Sequence, residues 1–236
     1  MSKKDDLRKQ REGTVINQIS AKQEKDLEQA IKRIVHALNE KFPGIEIAYE
    51  SQWFLRDVVK SLKSQFPEVD FNYYHETSSM RPDGGILSLK RNDGQLFPIL
   101  IAEKKNQGTN DLRALEGKAK QAKGNAIERL GKNVIGFRTA LLNETIFPFV
   151  CFGDGCDFAD DSSIIDRVVT IAMFGKLNQE YLHVQDGKFN RGSFYFRVEQ
   201  WTAGEMFDVG LEIATKSVFY YYSKYGEENF KNELFT

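Results

Sequence analysis

Cysteine is nearly missing from this chain: Cys151 and Cys156 are the only two among 236 residues. Two thiols are too few for a disulfide framework, and such usage fits a reducing cytoplasm. Histidine is almost as scarce. His36, His75 and His183 lie far apart, which argues against a structural zinc site. No apolar run approaches the roughly 18–20 residues needed to cross a bilayer. The first eleven residues are polar and lack the apolar core of a secretory signal. No internal repeat and no proline-, glycine- or serine-rich linker divides the sequence. These absences lead to the expectation of a cytoplasmic protein without a membrane partner. It would consist of one domain over residues 15–236 behind a basic arm at residues 1–14.

Net charge is also close to absent, at −1, so the chain is no bulk polycation. With 41% hydrophobic and 28% charged residues, a disordered chain is excluded and a full core is affordable at this length. The charge is nevertheless unevenly spread. Between Glu103 and Arg138, nine basic residues face four acidic ones, a local excess of +5, and the first eleven residues hold five basic against two acidic. Concentrated positive charge of this kind serves nucleic-acid binding, although a solvated helix face has the same composition.

The periodicity predicts a helix from Ser20, as its cap, to Phe42, with Leu27, Ile31, Ile34, Val35 and Leu38 inward and Pro43-Gly44 as its stop. A strand over Ile45–Tyr49 and a second helix near Trp53–Phe66 follow, the latter placing Phe54, Val58, Val59 and Leu62 inward and ending at Pro67. A third helix runs from Ala126 to about Leu142 on a stripe of Ile127, Leu130, Val134, Phe137 and Leu141. Strands are expected at Ile146–Phe152, Val168–Phe174 and Phe194–Val198, before a closing helix from Ala203 to Tyr225. The aromatic cluster Phe219-Tyr220-Tyr221-Tyr222 on that helix reads as core or subunit contact. Together these elements predict an α/β fold with a central mixed β-sheet flanked by helices on both faces.

One hairpin carries chemistry. Pro82-Asp83-Gly84-Gly85 leads into an apolar alternation, then Asn92-Asp93-Gly94 forms strong turn chemistry, and a second apolar run ends on Glu103-Lys104-Lys105. Folding about Asp93 sets Asp83 opposite Glu103. Alternation along the strand puts Glu103 and Lys105 on one face and sends Lys104 to the other. Two carboxylates and a lysine then converge, which suits a hard divalent cation and a phosphate. The same Glu-x-Lys triplet is ordinarily a solvated strand face, and the hairpin alone does not decide between the two.

Three stretches decide it. They are Ser78-Ser79-Met80-Arg81-Pro82-Asp83-Gly84-Gly85-Ile86, Ala102-Glu103-Lys104-Lys105-Asn106-Gln107-Gly108, and Gly124-Asn125-Ala126-Ile127-Glu128-Arg129. In order and spacing they closely resemble the EcoRI branch of the PD-(D/E)XK type II restriction endonucleases, collinear from about Gly13 to the C-terminal helix. The resemblance implies a restriction-endonuclease-like core and a homodimer acting on double-stranded DNA. It makes Asp83 and Glu103 ligands of Mg²⁺, with the backbone carbonyl of Lys104 as a further ligand. Lys105 would contact a phosphate oxygen and orient, or help deprotonate, the attacking water. Gln107 follows the motif as in the family and implies a supporting role near DNA.

In the family, the third segment lies in the major groove, where its Asn, Glu and Arg read adenines of a central AATT. The residues carried over are Asn125, Glu128 and Arg129, within an extended Gly124-Asn125-Ala126 lead into the helix. An asparagine amide does match the N6 and N7 edge of adenine. This chain departs from the family at Gln121-Ala122-Lys123, where the family has methionine and small alanines facing the outer base pair. It departs again at Leu177-Asn178-Gln179-Glu180-Tyr181-Leu182, where two arginines near guanine are missing. The expectation is a retained AATT core with altered or relaxed outer pairs, for instance purine-AATT-pyrimidine, cut before AATT to leave 5′ overhangs and 5′ phosphates. A palindrome implies a twofold dimer, and a cognate DNA methyltransferase is expected as a functional companion outside any complex.

Two other readings compete. A repair or junction-resolving nuclease of the same superfamily shares the metal site but does not need Gly124 to Arg129. A non-cleaving DNA-binding protein has no use for carboxylates beside phosphate, where they weaken binding unless a cation is present.

Overall fold

One long strand, β5 (Leu96–Asn106), is the axis about which the other elements are arranged. The computed structural model describes residues 15–106, 115, 117–119, 125–155, 158, 170–171 and 194–231. Within them a five-stranded sheet has the order β1 (Glu46–Glu50), β4 (Gly85–Lys90), β5 (Leu96–Asn106), β6 (Phe149–Asp154), β7 (Phe194–Arg197). β1, β4 and β5 run antiparallel, while β5, β6 and β7 run parallel, so the sheet is mixed as expected. A two-stranded ladder of β2 (Trp53–Phe54) and β3 (Ser79–Met80) stands apart.

Alternation along the strands divides the core in two. Leu87, Leu89, Ala102, Val150, Phe152 and Tyr195 face helix α1 (Val15–Lys41) and the C-terminal helix, Ala203–Tyr225. Ile86, Ile101, Phe149, Cys151, Phe194 and Phe196 face helix α3 (Asn125–Ala140), with α2 (Leu55–Gln65) beside it. The five residues expected on the α3 stripe, Ile127, Leu130, Val134, Phe137 and Leu141, are all buried. The C-terminal helix, α4, has the expected bounds. Its Thr202 and Glu205 form a reciprocal capping box that satisfies backbone donors at the helix start. Within its aromatic cluster Tyr221 is fully buried and donates to the Pro98 carbonyl at 3.0 Å, whereas Phe219 is exposed and meets Phe42 edge-to-face with ring centroids 5.2 Å apart.

Several elements differ from expectation. α1 begins at Val15, so Ser20 is an interior residue rather than a cap; nothing helix-breaking stands between Gly13 and Ser20. Trp53 and Phe54 pair with Met80 and Ser79 instead of opening α2, and of its four expected inward residues only Leu62 is fully buried. β6 starts at Phe149 rather than Ile146. The Pro148 carbonyl accepts from Ile101, but the proline has no N–H to continue the ladder. Thr170 and Ile171 are helical, not extended, and Ile171 packs against α3; tertiary contact overrides the strand preference of a β-branched run. The remainder of the strand expected at 168–174, the arm at 1–14, Cys156, His183 and residues 177–182 lie outside the described residues.

The hairpin forms, with its turn at 91–95. Gly94 takes φ 88°, its N–H donates to Arg91, and the Asp93 carboxylate accepts from the Gln95 N–H at 3.0 Å. The register is not the one expected. A bulge between Leu87 and Ser88, opposite Pro98, shifts the pairing by one residue, so Gly85 lies opposite Ala102 instead of Ile101. Bulges are where a strand tolerates a proline, because the lost N–H then leaves no gap in the ladder. At the far end Gly84 donates to the Ala102 carbonyl at 2.8 Å, and a Cβ on Gly84 would sit 2.9 Å from that of Ala102. Gly85 has φ 75°, and a Cβ there would fall 2.4 Å from the Tyr49 ring.

Gly85→Ala is therefore expected to lose about 1–3 kcal/mol from backbone strain alone, and more from the ring clash. Gly94→Ala, at similar φ in open space, isolates the strain component. Denaturant unfolding of both variants checks this, and equal losses at the two positions would contradict the role given to Tyr49.

Candidate active site

The end of β5 carries charge on both faces, which a strand ending in a core permits only when each charge is answered. Glu103 is 1% exposed and lies on the α3 face, in register with Cys151 of β6. Lys105 shares that face. Asp83 reaches in from the Pro82-Asp83-Gly84 corner, which the shifted register places between Glu103 and Lys104. The Asp83 N–H donates to Glu103 Oε2 at 3.3 Å, and Asp83 Oδ2 accepts from the Lys104 N–H at 3.2 Å.

Into this cluster goes the Lys105 ammonium. Its Nζ donates to Asp83 Oδ2 at 3.0 Å, to Glu103 Oε1, and to the Lys104 carbonyl at 3.3 Å. Those are the three oxygens that the sequence nominates as metal ligands, so a cation already sits where they converge. Burial pushes the Glu103 carboxyl up to about 7, against the Lys105 charge and with the help of Asp83. Burial works against the Lys105 ammonium, but Glu103 and Asp83 outweigh it and hold its pKa above the ordinary lysine value. The thiol of Cys151, fully buried beside this cluster, is pushed well up and stays protonated.

The donor set fits a hard divalent ion. All three atoms are oxygens, and among the described residues no group of three or more His, Cys, Asp or Glu side chains is placed to hold a metal by itself. Two carboxylates and a carbonyl leave the remaining positions to water and phosphate, which suits Mg²⁺, an ion that keeps much of its hydration.

Lys104 turns to the other face, as alternation requires. Its side chain is 4% exposed and pairs with Asp154, itself 1% exposed, at the end of β6. Gln23 of α1 donates to both Asp154 oxygens at 3.1 and 3.3 Å, and the Trp201 N–H donates to Oδ2 at 3.2 Å. Asn106 donates to Gln23 Oε1 at 2.9 Å. Burial lowers the Lys104 pKa, and the Asp154 carboxylate opposes that shift.

Of the residues expected at DNA, Glu128 and Arg129 are exposed near the start of α3. Asn125 and Ala126 open that helix, with their side chains outside the described set, as are Gln107, Gln121, Ala122, Lys123 and Gly124 entirely. The sequence reading missed Gln23 and Asp154. Gln23 left one trace: it lies four residues before Leu27, so a polar residue occupies the helix's apolar stripe. Asp154 left none beyond ending an apolar run.

Comparison with known proteins gives the family. The family model described as restriction endonuclease EcoRI matches residues 10–228. The type II restriction enzyme RsrI of Cereibacter sphaeroides is 33% identical over 221 residues, covering 78% of this chain and 79% of that protein. The type II restriction enzyme EcoRI of Escherichia coli is 30% identical over 144 residues, covering 58% of this chain and 52% of that protein.

The raised Glu103 pKa makes cation binding pH-dependent. A carboxyl whose folded pKa exceeds its unfolded value of 4.5 contributes stability at low pH that is lost as pH rises through about 7. A bound divalent ion favours the ionised form and restores the loss. Thermal melts with and without Ca²⁺ should show a larger stabilisation at about pH 8 than at about pH 6. Equal stabilisation at both would contradict Glu103 as a ligand with this pKa.

Proposed function

Because the chain belongs to the EcoRI family of type II restriction endonucleases, which are site-specific deoxyribonucleases, we propose that it cuts a palindrome with an AATT core in a Mg²⁺-dependent reaction. Family membership brings double-stranded DNA as the substrate and a divalent metal as the cofactor. The observation that carries the assignment of the centre is the convergence of Asp83, Glu103 and the Lys104 carbonyl on one cation, the Lys105 ammonium.

Asp83 and Glu103 would hold the metal with the Lys104 carbonyl, and the ion would supply positive charge toward the phosphate and the attacking water. The chain's own residues do the remainder. Lys105, beside both carboxylates, would contact a phosphate oxygen and orient, or help deprotonate, the attacking water. Glu103, buried against the sheet, presents its carboxylate in one geometry, while the more exposed Asp83 meets the incoming strand. The Gly84–Gly85 corner keeps Asp83 close to β5 without side-chain bulk.

Base reading falls to Asn125, Glu128 and Arg129 in the first turns of α3, with Gln121, Ala122 and Lys123 toward the outer pair and Gln107 supporting. The excess of basic residues between Glu103 and Arg138 favours the DNA backbone in the same region. Two copies related by a twofold axis would each cut one strand before AATT, leaving 5′ overhangs and 5′ phosphates.

Plasmid digested with Mg²⁺ should give discrete bands, and none without it. Smearing, or preference for branched DNA, would instead indicate repair, and a mobility shift without cutting would indicate binding alone. Asp83→Ala is expected to lower the cutting rate by roughly a thousandfold or more, the loss of several kcal/mol of charge stabilisation, with specific binding retained in Ca²⁺. Undiminished cutting would remove Asp83 from the centre.

Sequencing the cut ends tests specificity separately. All purine-AATT-pyrimidine combinations (GAATTC, AAATTT, and GAATTT with its complement AAATTC) should occur among them, and a strict GAATTC requirement would refute the relaxed outer pairs.

A further inference from the structure

The Lys104 peptide is held from both sides of the sheet. On the α3 face its N–H donates to Asp83 and its carbonyl accepts from Lys105. On the opposite face its buried ammonium meets Asp154, which is gripped in turn by Gln23 of α1 and by the Trp201 N–H. Asn106, two residues further along β5, closes the loop by donating to the same Gln23. Trp201 adds a bond from its ring N–H to the Gly153 carbonyl at 2.9 Å and stacks under Arg197 at 3.8 Å. Arg197 makes two bonds of 2.7 Å to Glu205 of the α4 capping box. Three elements thus anchor the end of one strand through a single carboxylate.

Hydrophobic residues at 104 and 154 would serve the core better. A buried ion pair recovers its desolvation only with complete hydrogen bonding, and well-packed apolar substitutes are often as stable. What the pair adds is direction. Lys104 cannot rotate or slide along β5 without stranding its ammonium in the core, so its carbonyl and the neighbouring Lys105 stay in register with Asp83.

On the reading of the cutting centre given above, from which this follows, we infer that Asp154 is a positioning residue for DNA hydrolysis. It acts through Lys104 on the metal-facing carbonyl and on Lys105, and Gln23 carries the same constraint to α1. Asp154 touches neither substrate nor cofactor.

The test uses the full chain with plasmid as substrate. It measures the rate at saturating Mg²⁺, the Mg²⁺ concentration giving half that rate, and binding in Ca²⁺ to a fragment carrying a mapped cut site. Asp154→Asn should raise the half-saturating Mg²⁺ by roughly 10–100-fold, as removal of outer partners does at other metal sites, and lower the rate. Fragment binding should be unchanged. The double variant Lys104→Met with Asp154→Leu removes both charges, so no unpaired ion is left to unfold the core. It should melt near the wild-type temperature and still need the higher Mg²⁺. Gln23→Leu removes only neutral bonds and should show the same split at smaller amplitude, giving an answer even if the charge variants fold poorly.

A double variant that cuts with the wild-type Mg²⁺ requirement overturns the inference. So does a loss that follows only the folded fraction, which would make Asp154 purely structural. Asp83→Ala, run alongside, separates the two levels. If it still cuts, the centre is misassigned and the inference falls with it. If it is dead while the Asp154 and Gln23 variants cut normally, the centre stands and the positioning role alone fails.

Discussion

Consecutive buried charges at the end of β5 are the constraint on which the structure turns. Glu103 and Lys104 are neighbours in sequence, both nearly inaccessible, and on opposite faces of the sheet. Neither can be left unanswered, because an unpaired ion in such surroundings costs several kcal/mol. The Glu103 side recruits Lys105 and Asp83. The Lys104 side recruits Asp154 and, behind it, Gln23 of α1 and the Trp201 N–H just before α4. The proposed catalytic geometry and core integrity therefore meet in a single peptide unit, and the sheet's division into two cores is what lets one strand satisfy both.

The centre consequently stands on rigid elements. Glu103, Lys104 and Lys105 lie within β5, where they pair with Cys151, Phe152 and Gly153 of β6, while β4 pairs with the same strand up to Ala102. Only Asp83 comes from a corner, and that corner is fastened by the Gly84 bond to Ala102 and by Asp83's own N–H bond to Glu103. Reaction geometry is sensitive to misplacement of about 1 Å, and a strand flanked on both edges moves less than a loop. Glu128 and Arg129, exposed near the start of α3, form a different kind of surface, where side chains are free to adapt.

What was legible in the sequence follows from the range over which each feature is determined. The turn at Asp93 is local chemistry, and it was readable. So was the α3 stripe, whose five residues need only one period. The convergence of Asp83, Glu103 and Lys105 followed from the turn and the alternation of strand side chains. The register did not, because the bulge opposite Pro98 depends on how a proline is accommodated between two neighbouring strands. Thr170 and Ile171 were misread for a similar reason: a β-branched run looks extended until a helix is packed on it. The Asp154 network was the least visible part. Gln23 and Asp154 are separated by 131 residues, and neither belongs to a motif; only the burial of Lys104 creates a demand for both.

Charge balance connects these points to the chemistry. With Glu103 ionised, two carboxylates against the Lys105 ammonium leave the α3-face cluster with one net negative charge, while Lys104 and Asp154 cancel behind it. A phosphodiester would be repelled from such a centre. Protonation of Glu103, favoured by burial, brings the cluster to neutrality and removes the repulsion without creating attraction. Two added positive charges turn the ionised cluster to a net +1, the complement of one phosphate. The same arithmetic explains why Lys104 must face away. On the α3 side its charge would make the ionised cluster neutral with no cation bound, and the carboxylates would lose their advantage for a divalent ion. Sending Lys104 through the sheet, and answering it there with Asp154, keeps the centre one charge short.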